Sequence, residues 1–374
     1  MAHAYTPGLR VTEFAVLRRE RRLPLKGQVL VQQGQVVDAQ TVVARTELPG
    51  NVQTLNLAAK LSVDPARAEA ALTRPVGSAV KQGEVVAAAK SLFGLVTHTL
   101  PAPVDGVIES VSKISGQLIL REAPIPVEVN AFVRGVVVEI LPAEGVVVEA
   151  RGAFLQGIFG VGGETWGEII VAAERPDEEL SASRLGPQHA GKVVVGGAYV
   201  SHATLLRARE LGVAAVVVGG FDDHDLRQLL GHDLGVAITG SEELGFTLIL
   251  TEGFGRIRMA ERSWTLLNAQ QGRMASVSGA TQIRAGVMRP EILIPGESGA
   301  SARTEEGHGA GLEVGSLLRV IREPHFGRIG RVVELPSELR ELDTEARVRV
   351  LVVEFSDGVE RAVVPRANVE LIAS

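Results

Sequence analysis

The sequence predicts a multidomain protein that is mainly β and has one α/β domain at its centre. The chain has 374 residues, which at roughly 100–200 residues per domain corresponds to about two to four domains. Residues 23–175 contain short valine-rich runs between glycines and prolines, a pattern typical of a β sandwich or barrel. From Gly191 onward, strand and helix patterns alternate, which indicates an α/β fold with parallel strands. Residues 311–374 return to a β pattern.

The composition excludes several kinds of protein before any motif is considered. Hydrophobic residues make up 45% of the chain and charged residues 22%, which is ordinary for a folded protein. Because there are no cysteines, disulfides, thiolate metal sites, iron–sulfur clusters and cysteine nucleophiles are excluded. No apolar run reaches about 18 residues, and the first 22 residues lack a signal-peptide core. We therefore expect a cytoplasmic protein without membrane spans.

Residues 1–22 form a basic N-terminal arm with five arginines and two acidic residues. Arg18, Arg19, Arg21 and Arg22 are clustered, and a basic cluster is what binding to a phosphate backbone requires. Two interpretations remain open: a solvated, frayed arm, which we favour, and a basic face for nucleic acid. The whole chain has a net charge of −6, which argues against broad nucleic-acid binding.

Residues 23–175 carry a repeated pair of phrases. A phrase rich in glycine and valine occurs over residues 27–37 and again over 77–86. Each copy is followed by a second phrase, over residues 48–52 and 102–107 respectively. Glycines can adopt positive φ at hairpin tips, while paired valines pack on a half-buried sheet face. A third pass follows at residues 135–138 and 145–148, so the repeat predicts short strands throughout one β region, residues 23–175.

The second copy, Gly83-Glu84-Val85-Val86 followed by Ala102-Pro103-Val104-Asp105-Gly106, resembles the barrel-sandwich hybrid fold of biotinyl and lipoyl carrier domains. In that family the modified lysine lies on the hairpin between the two phrases. The matching position in this chain is Gly94-Leu95, and the nearest lysine is Lys90. The resemblance therefore implies the fold of a docking or structural module without covalent biotin or lipoate, and we expect no cofactor.

The α/β domain is predicted over residues 183–295, after a polar linker near residues 174–179. A buried strand at residues 193–195 precedes Ser201, which is a good cap for a helix that ends before Gly212. The next strand completes a unit with two parallel strands joined by a helix. Further helices are predicted over 223–230 and 258–271, and further strands over 214–218, near 236–238 and 248–250, and within 273–294.

Two motifs of this domain have simpler interpretations than a ligand site. Gly196-Gly197 lacks the spacing of a dinucleotide-binding or phosphate-binding loop, which favours a plain turn between strand and helix. Residues 222–225, Asp-Asp-His-Asp, could form a metal cluster with His232. Acidic residues are also preferred at a helix start, where they accept hydrogen bonds from free backbone N–H groups. We favour the capping interpretation and predict no metal site.

The densest polar loops are predicted to follow strands, where open α/β sheets bind their ligands. One interpretation is a ligand site in which Glu252 acts as a base or a polar contact and arginines bind a carboxylate or phosphate. The other is a pair of tight turns with an internal Arg–Glu pair, and both remain open. No Gly-x-Ser-x-Gly or His-Glu-x-x-His motif occurs. The candidate ligand-binding residues are Thr251, Glu252, Gly253, Thr281, Gln282, Arg284 and Arg289.

Residues 296–310 are rich in glycine and serine and are interpreted as a flexible linker to a C-terminal module at 311–374. In this module apolar residues alternate around Phe326-Gly327-Arg328-Ile329-Gly330-Arg331-Val332-Val333. The segment resembles the KOW motif of NusG-type transcription factors and ribosomal proteins. The resemblance implies a five-stranded SH3-like barrel and a partner in the transcription or translation machinery. The candidate partner-docking residues are Arg319, Gly327, Arg328, Gly330 and Arg331.

We expect a non-catalytic interaction or scaffold protein that docks on its partner through the C-terminal barrel. A protein partner is favoured because residues 311–374 contain nine arginines and 11 acidic residues, a balance that makes nucleic-acid binding weak. The alternative is an enzyme or a small-ligand-binding protein that uses the polar loops of the α/β domain. Loops that converge on one concave site would favour the alternative, whereas separate loops and a largest surface groove between modules would favour the scaffold.

Overall fold

The computed structural model describes residues 9–91, 96–231, 240, 242–282, 288–296, 312–320, 325, 327–336, 338–341, 347–355 and 361–371. Within these residues the chain is mainly β, as the sequence predicts, and its largest sheet curls into a half-barrel. The predicted strand near 236–238, nearly all of the predicted linker and the predicted hairpin turn at 356–358 lie outside the described residues.

The N-terminal region begins with strands β1 (Val11–Arg22), β2 (Gln28–Val29), β3 (Val36–Val37) and β4 (Val42–Leu48). Along β1, side chains alternate between the protein interior and solvent over the stretch that contains Ala15 and Leu17, both of which are buried. This alternation is what a strand at the edge of a sheet requires. The expectation of a frayed arm is therefore wrong for residues 11–22, which form an ordered strand.

A second unit follows, with β5 (Val52–Asn56), α1 (Leu57–Leu61), a 3₁₀ turn (Pro65–Ala71), β6 (Ala79–Val80), β7 (Val85–Ser91), β8 (Val96–Pro101), β9 (Gly106–Val111) and β10 (Gln117–Arg121). Strands β5, β10, β9 and β6 form one antiparallel sheet, and β7 pairs with β8 as a hairpin. Leu57, Ile108 and Leu118 are fully buried in its core. The position that matches a carrier lysine, at residues 94 and 95, lies outside the described residues, while Lys90 lies on β7 opposite Thr97.

The chain then returns to the first region through β11 (Ile125–Asn130), β12 (Gly135–Leu141) and β13 (Gly145–Gln156). Because β4 pairs with β11, the second unit is inserted between two strands that are neighbours in the first. Strand β13 pairs with β1 in antiparallel register, with Arg22 opposite Gly145 and Val11 opposite Leu155. Around these strands lies a separate apolar core that includes Phe132.

The central region contains strands β14 (Phe159–Val161), β15 (Glu164–Val171), β16 (Glu179–Leu180), β17 (Val193–Val195), β18 (Tyr199–Val200), β19 (Ala215–Phe221), β20 (Thr247–Phe254), β21 (Met274–Ser278) and β22 (Glu291–Pro295). Its helices are α2 (His202–Glu210), α3 (Asp223–Leu230) and α4 (Glu261–Ala269). Strands β15, β17, β19 and β20 are parallel neighbours. Strands β21 and β22 run antiparallel and join this parallel part to β13.

The structure confirms the first strand–helix–strand unit predicted for this region. Strand β17, helix α2 and strand β19 form the predicted unit with parallel strands. The Ser201 hydroxyl accepts a hydrogen bond from the Thr204 backbone N–H at 3.3 Å, as a helix cap does. Helix α4 is shorter than predicted at both ends. The sheet runs across the boundary predicted near residue 175, because Ile169 on β15 pairs with Val193 on β17.

The two faces of the parallel strands are covered by different apolar clusters. One contains Leu205 of α2 and Leu226 of α3. The other contains Leu267 of α4 together with Val217 of β19. Since both faces are covered by chain, only the strand ends remain as possible places for a ligand, as is usual for parallel sheets.

The C-terminal region forms strands β23 (Leu317–Val320), β24 (Ile329–Glu334), β25 (Leu339–Glu341), β26 (Arg347–Phe355), β27 (Arg361–Pro365) and β28 (Val369–Leu371). They make one antiparallel sheet in the order β25-β26-β24-β23-β28, with β27 also paired to β26. The sheet packs around its own apolar core, which includes Leu318, Leu351 and Phe355. We call the described residues from 312 to 371 the C-terminal barrel, after the fold predicted for them, and the described residues before 297 the core region.

Candidate functional site

Residues 251–253, predicted as a loop after a strand, instead lie within strand β20 near its carboxyl end, because the strand continues to Phe254. The side chains of Thr251 and Glu252 have internal partners. The Thr251 hydroxyl donates a hydrogen bond to the Val218 carbonyl oxygen at 3.3 Å. Glu252 is only 5% exposed. Its Oε1 accepts a hydrogen bond at 3.0 Å from the backbone N–H of Ala260, the residue that precedes α4. Both side chains therefore stabilise the local fold.

The other oxygen of Glu252 binds an arginine of the C-terminal barrel. Arg319 of β23 is 2% exposed, and its Nη2 donates to Glu252 Oε2 at 2.8 Å. The Arg319 Nη1 donates to Oε1 of Glu370 on β28, also at 2.8 Å. Arg319 and Glu370 lie directly opposite each other in the antiparallel pairing of these strands. Arg319 thus joins a carboxylate of the core region to a carboxylate of its own barrel.

A second arginine, Arg289, binds the remaining carboxylate oxygen of Glu370. Arg289 lies in the segment before β22, and its Nη2 donates to Glu370 Oε2 at 2.9 Å. Arg289, Arg319, Glu252 and Glu370 therefore form one chain of charge-assisted hydrogen bonds, which we call the ionic network. Burial of single charges is costly, so each of these groups depends on its neighbours. The network links the two predicted sites, since Glu252 and Arg289 belong to one and Arg319 to the other.

Two glycines allow the barrel to approach the end of β20 closely. Gly253 has a φ of +154°, and a Cβ at this position would collide with the Gly327 carbonyl oxygen. Gly327 has a φ of +79°, and a Cβ there would lie 2.6 Å from Cδ2 of Phe254. Only glycine fits both positions without movement of the backbone. The turn predicted to dock on a partner is therefore packed against the chain's own core region.

The neighbouring strand ends are also filled by the chain itself. The backbone of residues 255–259 runs across them, with Gly255 N–H donating to the Phe221 carbonyl at 2.8 Å and Ile257 N–H donating to Ala198 at 3.2 Å. A Cβ on Gly220 would collide with the Gly255 carbonyl oxygen. In the part of the chain that the structure describes, the strand ends thus form no open crevice. The loops converge as the ligand hypothesis requires, but the barrel and residues 255–259 occupy the space between them.

The remaining candidate ligand residues serve the fold or lie outside the description. The Thr281 side chain is 2% exposed, and its hydroxyl accepts a hydrogen bond from Gly160 N–H at 2.9 Å. The Gln282 backbone N–H donates a hydrogen bond to the Met288 carbonyl oxygen at 3.0 Å. Arg284 lies outside the described residues. The structure therefore brings Glu252, Gly253 and Arg289 to the barrel, but it does not bring Thr281 with them.

The remaining candidate docking residues have different surroundings. Gly330 faces the inside of the barrel, where a Cβ would collide with a methyl group of Val353. The Arg328 guanidinium lies 3.8 Å from the centre of the Phe355 ring, a cation–π contact. Arg331 is exposed, and its Nη1 donates to the Gly315 carbonyl at 3.2 Å. Of the five docking residues, Arg331 is thus the one most open to a partner.

The basic cluster of the N-terminal strand is neutralised by acidic residues of the core region. Arg19 binds Glu291 with two parallel hydrogen bonds, of 2.7 and 2.5 Å. Arg21 binds Glu164 in the same way, at 2.7 and 2.6 Å. Two further ion pairs, of 3.0 and 2.7 Å, join Arg18 to Glu149 and Arg22 to Glu144. A polyanion would have to compete with these carboxylates for every arginine of the cluster.

The acidic segment at the start of α3 caps the helix, as predicted. Oδ1 of Asp222 accepts a hydrogen bond from His224 N–H at 2.8 Å. Oδ2 of Asp225 instead accepts from the His202 N–H at the start of α2, at 3.3 Å. Burial and the negative charges of Asp225 and Asp222 raise the pKa of the nearby Tyr199. Among the described residues no three acidic or histidine side chains are arranged to hold a metal ion, and His232 lies outside them.

Sequence reasoning missed Glu370, which binds both arginines of the ionic network. The available signal was a charged residue between Val369 and Leu371 in a short apolar strand, a pattern that places the carboxylate on one face of a half-buried sheet. Its partners are 51 and 81 residues away along the chain. No local pattern connects such positions, so the pairing could be found only from the structure.

Comparisons with known proteins do not assign the chain to a family. No protein-family profile matches the chain, and no curated protein matches it significantly. No described helix is long and apolar enough to span a bilayer.

Proposed function

We propose that this protein is a non-catalytic interaction or scaffold protein, and that its KOW-like barrel docks on a protein partner. The observation that carries the proposal is that the barrel and residues 255–259 cover the carboxyl ends of the parallel strands, where a ligand would bind. Glu252 and Arg289, the charged residues best suited to bind a ligand, instead bind the barrel through Arg319 and Glu370. A rigid connection between modules is what a scaffold requires.

The exposed face of the barrel supports a protein partner better than a polyanion. Arg331 on β24 lies opposite Glu354 on β26, which lies opposite Arg361 on β27. Arg361 also donates a hydrogen bond to Glu354 at 3.1 Å. The exposed side chain of Val363 lies on the same strand as Arg361. Alternating charges beside an apolar group favour a mixed protein surface, whereas a phosphate backbone favours an unbroken positive track.

The class of partner is suggested by the resemblance to NusG-type and ribosomal KOW barrels. Under this proposal, the partner belongs to the transcription or translation machinery of the cytoplasm. The barrel-sandwich-like region predicted over residues 23–175 then acts as a second structural module without an attached cofactor. The alternative, an enzyme or ligand-binding protein, would require the barrel to leave the strand ends before Glu252 could meet a ligand.

The test is affinity capture from a native lysate with the full chain as bait, with and without nuclease treatment. The variant Arg331→Glu/Arg361→Glu reverses both positive charges of the exposed row, while Arg121→Glu changes a comparable exposed ion pair on another module. We expect one protein to be captured by the wild type and by the Arg121 variant, with or without nuclease, but not by the double variant. Capture that disappears after nuclease treatment would contradict the proposal.

A further inference from the structure

The C-terminal barrel has the properties of an independent unit. Its apolar cluster consists of barrel residues alone. In the described part of the chain, its six strands pair with one another, and none pairs with a strand of the core region. The barrel is thus joined to the core region mainly through the ionic network and the contact of Gly253 with Gly327. A unit with its own core can detach without unfolding.

The contact surfaces are complementary in charge. The core region offers the carboxylate of Glu252 and the guanidinium of Arg289, and the barrel offers Arg319 and Glu370 in the opposite arrangement. Two N–H groups of the network, Arg289 Nη1 and Arg319 Nε, are buried and have no acceptor among the described residues. The interface is therefore polar and specific in its geometry, which distinguishes it from the apolar cores on either side.

The chain length between the two surfaces leaves room for more than one arrangement. Residues 297–311 separate Gly296, which follows β22, from Leu312 of the barrel. A segment of 15 residues reaches up to about 50 Å when extended. That distance exceeds the diameter of a small domain, about 30 Å. A barrel released from its own core region could thus reach the same surface on another molecule.

We propose that the barrel face formed by Arg319, Gly327 and Glu370 is an interaction surface for a second copy of this chain. In the resulting dimer, Arg319 of each copy binds Glu252 of the other, and Arg289 of each binds Glu370 of the other. Such an exchange makes no new kind of contact, because every pair in the closed monomer is formed again between copies. The inference is independent of the proposed function, since it requires no foreign partner.

Mass action sets when each form predominates. Within one chain, binding of the barrel to its own core region is an intramolecular step, so dilution of the protein does not weaken it. At micromolar protein the closed monomer is therefore favoured. A dimer is favoured when closure within one chain is prevented by charge or by a connection that is too short.

The test uses two full-length variants that each disable closure within the chain. Glu252→Arg places a positive group against Arg319, and Arg319→Glu places a negative group against both Glu252 and Glu370. In an equimolar mixture, the unchanged barrel of the Glu252→Arg chain can bind the unchanged core surface of the Arg319→Glu chain, and the two introduced charges are opposite at the second interface. We expect each variant alone to sediment as a monomer and the mixture as a 1:1 dimer. Affinity in the mixture should be roughly 100-fold above either self-association, because like charges facing each other cost several kcal/mol.

One control keeps the outcome interpretable. Glu261→Arg changes an exposed glutamate at the start of α4, so its mixture with the Arg319→Glu variant should stay monomeric. A mixture that stays monomeric although hydrogen exchange shows both barrels released would overturn the inference.

Discussion

Arg319 has two carboxylate partners and almost no contact with solvent. Its guanidinium donates one hydrogen bond to Glu252 through Nη2 and one to Glu370 through Nη1. Lysine could not reproduce this arrangement because its single ammonium is a point charge. At the scale of the residue, the polar groups that look like a ligand site in the sequence are held by one another. The same arginine is therefore the most sensitive position for testing the contact between barrel and core region.

The first prediction concerns this side chain. Arg319→Ala leaves Glu252 and Glu370 buried without their shared cation, so the free energy of unfolding should fall by about 3–5 kcal/mol. Arg331→Ala removes an exposed arginine of the same barrel and should change it by no more than about 0.5 kcal/mol. Denaturant titrations of the two variants measure the difference. Equal effects of the two substitutions would mean that the ionic network contributes no more than the surface.

At the scale of the element, Asp105 of the second unit connects two turns that are far apart in the sequence. Asp105, in the Ala-Pro-x-Asp-Gly segment, accepts a hydrogen bond from Gln82 N–H at 2.7 Å and another from the Lys81 ammonium at 2.8 Å. It thereby joins the turn before β7 to the turn before β9. These two turns belong to the two phrases of the repeated sequence, so Asp105 gives the spacing between the phrases a physical reason.

The second prediction follows from the charge of this aspartate. The side-chain hydrogen bond from Lys81, followed by the backbone N–H of Gln82, lowers the pKa of Asp105 below its ordinary value, and the same contact raises the pKa of Lys81. A lowered pKa contributes stability above the unfolded-state value of about 3.9, and that contribution is lost as the pH falls through the folded-state value. Carbon-13 NMR titration should give a lower pKa for Asp105 in the folded protein than in the protein unfolded by denaturant. In Lys81→Met the pKa of Asp105 should rise, and an unchanged value would contradict the assignment.

At the scale of the whole molecule, sequence reasoning succeeded where structure is local. The strand at Val193, the cap at Ser201 and the helix stop at Gly212 lie within 20 residues of one another, and the structure confirms each. It failed where pairing is distant. Strand β1 pairs with β13, more than 120 residues later, and thereby turns the expected arm into part of the largest sheet. A run of arginines carries no information about the glutamates that will face it.

In the candidate site, too, the individual residues could be predicted from the sequence but their contacts with one another could not. Glu252 and Arg289 stand out as charged residues in loops after strands, and Arg319 stands out beside the KOW-like turn. That the three meet is a consequence of how the barrel packs on the strand ends, which depends on close approach at Gly253 and Gly327. Such an approach is set by tertiary packing, and glycine alone signals only that the backbone is permitted to make it.

The third prediction concerns nucleic acid and the full chain. The arginines of β1 are paired with glutamates and Arg319 is buried, so these cations are not available to displace counterions from a phosphate backbone. Random RNA or duplex DNA should bind no tighter than roughly 10⁻⁵ M at physiological salt, as measured by fluorescence anisotropy. Submicromolar, salt-sensitive binding that is lost in Arg328→Ala or Arg331→Ala would make nucleic acid the leading partner.

The central claim is that the C-terminal barrel is held on the strand ends of the core region by the ionic network. Because the chain contains no cysteines, spin labels can be attached at two introduced ones, Arg258→Cys in the core region and Arg331→Cys in the barrel, both on exposed arginines. Double electron–electron resonance on this chain, diluted to keep it monomeric, should give a single narrow distance distribution, and addition of Arg319→Glu should broaden it. A broad distribution that is the same with and without Arg319→Glu would contradict the account.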